Sequence, residues 1–356
     1  MARIDRFDAR RPHTIAVSNA TSVRPREEAT QSDHNGGIGL HECGPAAAPG
    51  YCIADGSIGI AERTGHAYSQ AGEHYAAYAD GDAHALFDFT GIHGYADACV
   101  WKRLDTALRQ LRATGARSVS ILDAGCGPGT WLRRMVIRAR ELGFTDVTAH
   151  GFDIARVQVR RARFLAHDLC QAPGVTMEFE VADLTSRLRL ADGAFDITLC
   201  LFSVLSHLPA ERLPRIAAEI ARVTRGAFIT TMRPVGSQPT VFVAPIEQAR
   251  HFERDAKTDR FEVELSDGRH MVLGFHLFSA AELTLLFSAH FAIEELSGLD
   301  LFHSRFALDS RWNPPSWGGE DLLSERLARL EESFAGDPAF LDHATHLLLV
   351  GHRRQG

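Results

Sequence analysis

The chain has 356 residues, 45% hydrophobic and 23% charged, and a net charge of −7. That length suffices for one large domain or two small ones with a real core, and the composition is that of an ordinary globular protein. A negative balance provides no global field for nucleic acid or anionic lipid, so neither is an expected partner. No apolar run reaches the roughly 18–20 residues that a membrane helix needs, and the first residues lack the apolar stretch of a secretory signal. The six cysteines (Cys43, Cys52, Cys99, Cys126, Cys170 and Cys200) form no C-x-x-C pair. Reduced thiols in a cytoplasmic protein are expected, without a disulfide framework or zinc site. Nothing in the sequence bears on oligomeric state.

Residues 1–60 mix Arg, Ser, Thr, Pro and Gly without a sustained period and read as a disordered or loosely attached extension. Asp5 and Asp8 among its arginines count against a mitochondrial presequence. From 66 to 116, "HAYSQAGEHYAAYADG" and "GYADACVWKRLDTALRQLRATG" predict a helical cover, the second helix closing at Gly115. Residues 117–232 alternate. "SVSILDAG" is a strand, and "TWLRRMVIRARELG" is a helix with Leu132, Met135, Val136 and Leu142 on one face. "VTAHGFD", "VTMEFEVAD", "AFDITLCLFSVL" and "GAFITTM" are further strands, separated by helical runs. Such alternation predicts an α/β fold with a doubly wound, mostly parallel sheet. Over 233–320 the rhythm breaks. Runs flanking Asp267-Gly268 predict an inserted hairpin, and Ser279 with Glu282 forms a capping box. Residues 321–356 predict a last helix and the closing strand "THLLLVGHR".

The stretch "SILDAGCGPGTW" carries the chemistry. A bare turn after a first strand allows a ligand to approach the backbone at a helix N-terminus. A dinucleotide site asks for G-x-G-x-x-G, whereas Gly125, Gly127 and Gly129 are followed by Thr130. Asp123 beside that turn repels a pyrophosphate and suits an adenosine ligand bearing a sulfonium or ammonium charge.

With "ILDAGCGPGT", "GFDIA", "VADL" and "FDITLCLFSVLSHLP" in order, residues 117–232 resemble the class I S-adenosylmethionine (SAM)-dependent methyltransferases, a Rossmann-like family. The likeness extends in weaker form over residues 66–356. It implies that Gly125, Cys126 and Gly127 line the methionine moiety while Asp123 supports its charged end. Asp153 takes the ribose hydroxyls, Ile154 packs on adenine, and Asp183 with the Leu184 N–H meets the adenine amine. Leu201 offers backbone atoms. Tyr75 and Tyr78 resemble the family's covering helix, and Arg103 is a further candidate for the ligand carboxylate. Bland readings stand beside these: Asp183 is also placed to cap the next segment, and Cys126 is a small buried residue.

The activity implied is methyl transfer from SAM to a small O, N or S acceptor, yielding S-adenosylhomocysteine (SAH), with no metal. A hydroxyl acceptor asks for a base, and His207 and His276 are the candidates, each equally readable as a residue holding loop backbone. Rival readings are a non-catalytic SAM-binding regulator and an NAD-dependent Rossmann oxidoreductase. Two patterns are set aside. "NPPS" at 313–316 stands far from the fourth strand and reads as a proline turn. His343 and His346 read as a solvent-exposed pair.

Overall fold

Each apolar run of the 117–232 segment is too short for a helix and becomes a strand, the central ones buried on two faces and the edge one alternating buried and exposed residues. This computed structural model describes residues 86–89, 94–237, 249–255, 257–266, 268, 270–303 and 320–354. The extension expected over 1–60, Tyr75, Tyr78 and the 313–316 turn lie outside these residues. The central sheet contains β1 (Ser118–Ala124), β2 (Asp146–Asp153), β3 (Val175–Val181), β4 (Phe195–Cys200), β5 (Thr224–Met232), β9 (Phe291–Leu299) and β10 (His346–Arg353). Its spatial order is β3-β2-β1-β4-β5-β10-β9. The first five strands are parallel, and β10 runs antiparallel to both β5 and β9. This is the Rossmann-like, mostly parallel α/β sheet that the alternation predicts.

Helices cover the two faces. Helices α1 (Gly94–Ala113), α2 (Thr130–Glu141) and α3 (Arg156–Leu165) lie on one, where Val100, Leu104, Leu132, Met135, Val136 and Val159 pack on Ile121, Ala149 and Leu199. Helices α4 (Leu213–Val223) and α5 (Ala280–Ser288) lie on the other, where Leu213, Ile216 and Ile220 pack with Phe228, Leu283 and Phe287. Of the face expected on α2, Leu132, Met135 and Val136 are fully buried and Leu142 becomes the C-cap. Arg133 and Arg134 are buried as well, which helical periodicity does not predict. The Arg134 guanidinium lies 4.4 Å over the Trp131 ring and 4.9 Å over Phe89, a cation–π contact that offsets part of its desolvation.

The chain order reverses at β1, whose neighbours are β2 on one side and β4 on the other. That reversal opens a crevice beyond the carboxyl ends of the strands, where ligands of such sheets bind. Asp123, Asp153 and Leu201 all stand at this end. A second, three-stranded antiparallel sheet is built from β6 (Ala249–Asp255), β7 (Arg260–Leu265) and β8 (His270–Gly274). The hairpin predicted around Asp267-Gly268 is β7–β8, with Gly268 at φ 85°, and β6 adds a third strand with no hairpin signal of its own. Helix α6 (Glu320–Phe334) precedes β10. The exposed histidine pair expected near it is corrected in one member: His343 is exposed, but His346 opens β10 and is buried, with its ring edge-on to Phe202.

Candidate functional site

The glycine loop is built by its hydrogen bonds. Gly125 N–H and Cys126 N–H both donate to Phe152 O at 2.8 and 2.9 Å, tying the turn to the end of β2. Gly125, Gly127 and Gly129 all adopt left-handed φ angles of 79°, 51° and 77°, a conformation that strains residues carrying a Cβ. Their surroundings differ. A Cβ on Gly125 would stand 2.5 Å from Val204 Cγ2, and one on Gly129 would stand 2.9 Å from the Phe179 ring. Gly127 has nothing within 4 Å on that side. The first and third glycines are therefore demanded by packing, and the middle one presents bare backbone to open space. Cys126 is buried, and burial pushes its thiol well above the ordinary range, so it is a packing residue without nucleophilic character.

Asp123, the last residue but one of β1, lies opposite Gly151 and Leu199. It is 2% exposed, and its Oδ2 has no hydrogen-bond partner. Burial, with a further push from the neighbouring Asp153 charge, raises its pKa to about 7. A buried acid with an idle oxygen asks for a cationic or donor partner from outside the chain. Asp153, at the end of β2, is held differently. Its Oδ2 accepts from Gly127 N–H (2.9 Å) and its Oδ1 from Ala155 N–H (2.8 Å). Burial raises its pKa, while those N–H groups and that of Ile154 oppose the rise. The carboxylate thus couples the end of β2 to the bare glycine, and each oxygen keeps a further lone pair.

After β3, Asp183 accepts from Thr185 N–H (2.8 Å) and Thr185 Oγ1–H (2.7 Å). The bland alternative weighed for Asp183, capping of the next segment, is realised there. Leu184 is buried beside it, and Ile154 is half-buried. After β4, Leu201 is buried and the next two residues are left-handed without being glycine: Phe202 at φ 55° and Ser203 at φ 68°. Thr231 on β5 holds them, its Oγ1 accepting from Phe202 N–H and its carbonyl from Ser203 N–H. Strained backbone of this kind survives where its surroundings over-determine it, commonly at functional sites. The Phe202 ring is stacked on Trp131 at 5.6 Å. Phe202, Trp131 and the buried Arg133 are absent from the expected residue set. The "FSVLSHLP" match contains Phe202, but no sequence pattern signals its backbone angle.

Three expectations need correction or are redirected. Arg103, expected at a ligand carboxylate, is paired within the chain: its Nε and Nη2 engage Glu295 at 3.1 and 2.7 Å, joining α1 to β9. His276 has Nδ1 2.7 Å from Asp259 and Nε2 2.7 Å from Glu282. These carboxylates raise its pKa against the effect of burial, and both ring nitrogens are engaged within the chain. Glu282 completes only half of the capping box, its N–H donating to Ser279 Oγ while its carboxylate serves His276. His207, by contrast, is buried, with Nδ1 3.1 Å from Gly274 O, which places its proton on that nitrogen. Burial lowers its pKa to about 4, and it is neutral at physiological pH. Together with the bond from His276 N–H to Ser206 O (2.6 Å), it hangs the β6–β8 sheet on the turn after β4.

Residues 121–226 match the family model described as a methyltransferase domain. Over that stretch the chain is similar to a methyltransferase domain, set within the mostly parallel sheet described above. Within the matched residues lie the glycine loop, Asp123, Asp153, Asp183 and Leu201, whereas β6–β10 lie beyond them. No curated protein matches the chain. Among solved structures, magnesium protoporphyrin IX methyltransferase from Synechocystis PCC 6803 with bound SAM is 14% identical, with a TM-score of 0.48 over 85% of this chain and 100% of that one. Geranyl diphosphate C-methyltransferase from Streptomyces coelicolor A3(2) is 16% identical, with a TM-score of 0.38 over 67% and 71%. The [4+2]-cyclase SpnF is 19% identical, with a TM-score of 0.40 over 71% and 82%. Among the described residues, no helix is long and apolar enough to cross a membrane.

Proposed function

We propose that this protein transfers a methyl group from SAM to a small O, N or S acceptor in the crevice above β1 and β4. The observation that carries the reading is the idle oxygen of buried Asp123 beside the open side of Gly127. A pyrophosphate would meet that acid unfavourably, which speaks against a nicotinamide dinucleotide. SAM bound there supplies an activated methyl on a sulfonium, ready for in-line displacement. Asp123 faces its positive end, Gly125, Cys126 and Gly127 give it backbone, and Asp153 accepts from the ribose hydroxyls through its remaining lone pairs. Ile154 packs on the adenine, Asp183 and Leu184 border its amine, and Leu201 adds backbone atoms. Tyr75 and Tyr78 are the covering side chains in this reading.

The chain's own contribution to rate is alignment and exclusion of water. The β6–β8 sheet, tethered to the turn after β4, supports a closed cleft and hence an acceptor of modest size. Calorimetry with SAM and SAH, followed by product identification after incubation with labelled SAM and a metabolite extract, tests this. Absence of SAM and SAH binding would overturn it, and binding without turnover on any acceptor would make the protein a regulator instead.

His207 is the proton acceptor for a hydroxyl substrate in this scheme. Asn in its place keeps an amide N–H where Nδ1 donates to Gly274 O, and removes the basic nitrogen. H207N is expected to bind SAH as the wild type does, while kcat falls about a hundredfold or more. Unchanged kcat would reduce His207 to a tether for the second sheet.

A further inference from the structure

The turn after β3 and the outer side of α4 enclose a cavity of about 300 Å³ lined by Leu184, Thr185, Ser186, Arg187, Arg215, Ile216, Glu219 and Arg222. Its charges divide into two sets. Arg222 is fully engaged: its guanidinium holds Glu219 Oε1 and Oε2 at 2.7 and 2.9 Å, Asp192 Oδ1 at 2.5 Å, and the carbonyls of Leu188 and Leu190. Glu219 also accepts from Leu188 N–H at 2.7 Å. Shared between Glu219 and Asp192, Arg222 clamps the 184–192 segment to α4, so the wall of the cavity is fixed. Arg187 and Arg215 have no ion pair or hydrogen bond with any described residue, and both face solvent. Three guanidiniums therefore line the cavity against one acid, Glu219, whose charge acts on Arg222 and Arg187.

We infer that this cavity binds a small phosphate monoester, the Arg187 and Arg215 forks taking the phosphoryl oxygens and an apolar body resting on Leu184 and Ile216. Guanidinium matches phosphate geometry in bidentate fashion, and two of them suit a dianion. The hydroxyl of Ser186 adds a neutral donor at the rim. The volume fits a small organic molecule and excludes a folded polyanion, in keeping with the net charge of −7.

Phenyl phosphate is the probe, titrated calorimetrically into the full chain already saturated with SAH, with inorganic phosphate as the second arm. Phenyl phosphate is expected to bind more tightly than inorganic phosphate, and more weakly as salt rises. The double variant R187A/R215A is expected to lose at least about tenfold in affinity while retaining SAH binding. No heat with phenyl phosphate would overturn the inference, as would binding that survives the double substitution. Equal affinity for inorganic phosphate would overturn the ester assignment. A wild type that fails to bind SAH speaks against the proposed cofactor alone, and the titration is then read without it.

Discussion

Replacing Asp153 by alanine is expected to lower SAM and SAH affinity by at least about a hundredfold, with a loss of about 2 kcal/mol in stability of the ligand-free protein. The effect is large because one side chain does two jobs. It accepts from Gly127 N–H and Ala155 N–H, so the substitution releases the one glycine whose open side faces the crevice. It also removes the lone pairs proposed to accept from ribose. D153N separates the contributions. Its amide keeps one acceptor oxygen but turns a donor toward one of those N–H groups, so it is expected to fall near alanine in affinity. Calorimetry with SAH and thermal unfolding without ligand are the measurements, and SAH affinity within twofold of wild type would remove Asp153 from the site.

Asp123→Asn is expected to have the second largest effect, with opposite signs for binding and stability. The pKa of Asp123 is raised to about 7 by burial, so below that pH the folded protein carries it largely protonated. A cationic ligand binds the ionised form. Wild-type affinity for SAM therefore rises with pH up to about 7 and then levels off, and binding below that pH releases a proton. D123N is expected to lose about tenfold or more at pH 8 and to abolish both the pH slope and the proton release, read by calorimetry in buffers of different ionisation enthalpy. For ligand-free stability the sign reverses. A folded pKa above the unfolded one means that the contribution is favourable at low pH and is lost as pH rises from about 4 through 7. At pH 8 the wild type carries a buried, unpaired carboxylate, and D123N is expected to unfold at the higher temperature. This is the ordinary conflict between a site kept ready for a charged ligand and the stability of the empty fold. Pairing of Asp123 in the free state would be revealed by a D123N variant that is less stable at pH 8.

Which chain segments become strands and helices, and where the glycine loop lies, is legible along the chain because these properties are local. Apolar runs with period two or 3.6 report one face of one element, and "DAGCGPGT" reports a backbone conformation that few other residues tolerate. Asp123 and Asp153 follow from the same local logic, as acids at the ends of apolar runs. Everything that depends on a partner distant in sequence needed the folded chain. Insertion of β10 between β5 and β9, capture of Arg103 by Glu295 across 192 residues, and confinement of His276 between Asp259 and Glu282 are choices among many partners of similar chemistry. The left-handed backbone of Phe202 and Ser203 belongs with them, since it is held by Thr231 on the next strand and not by any preference of its own. Local sequence sets conformational preference, but side-chain pairing and burial are settled by which surfaces meet when the sheet closes.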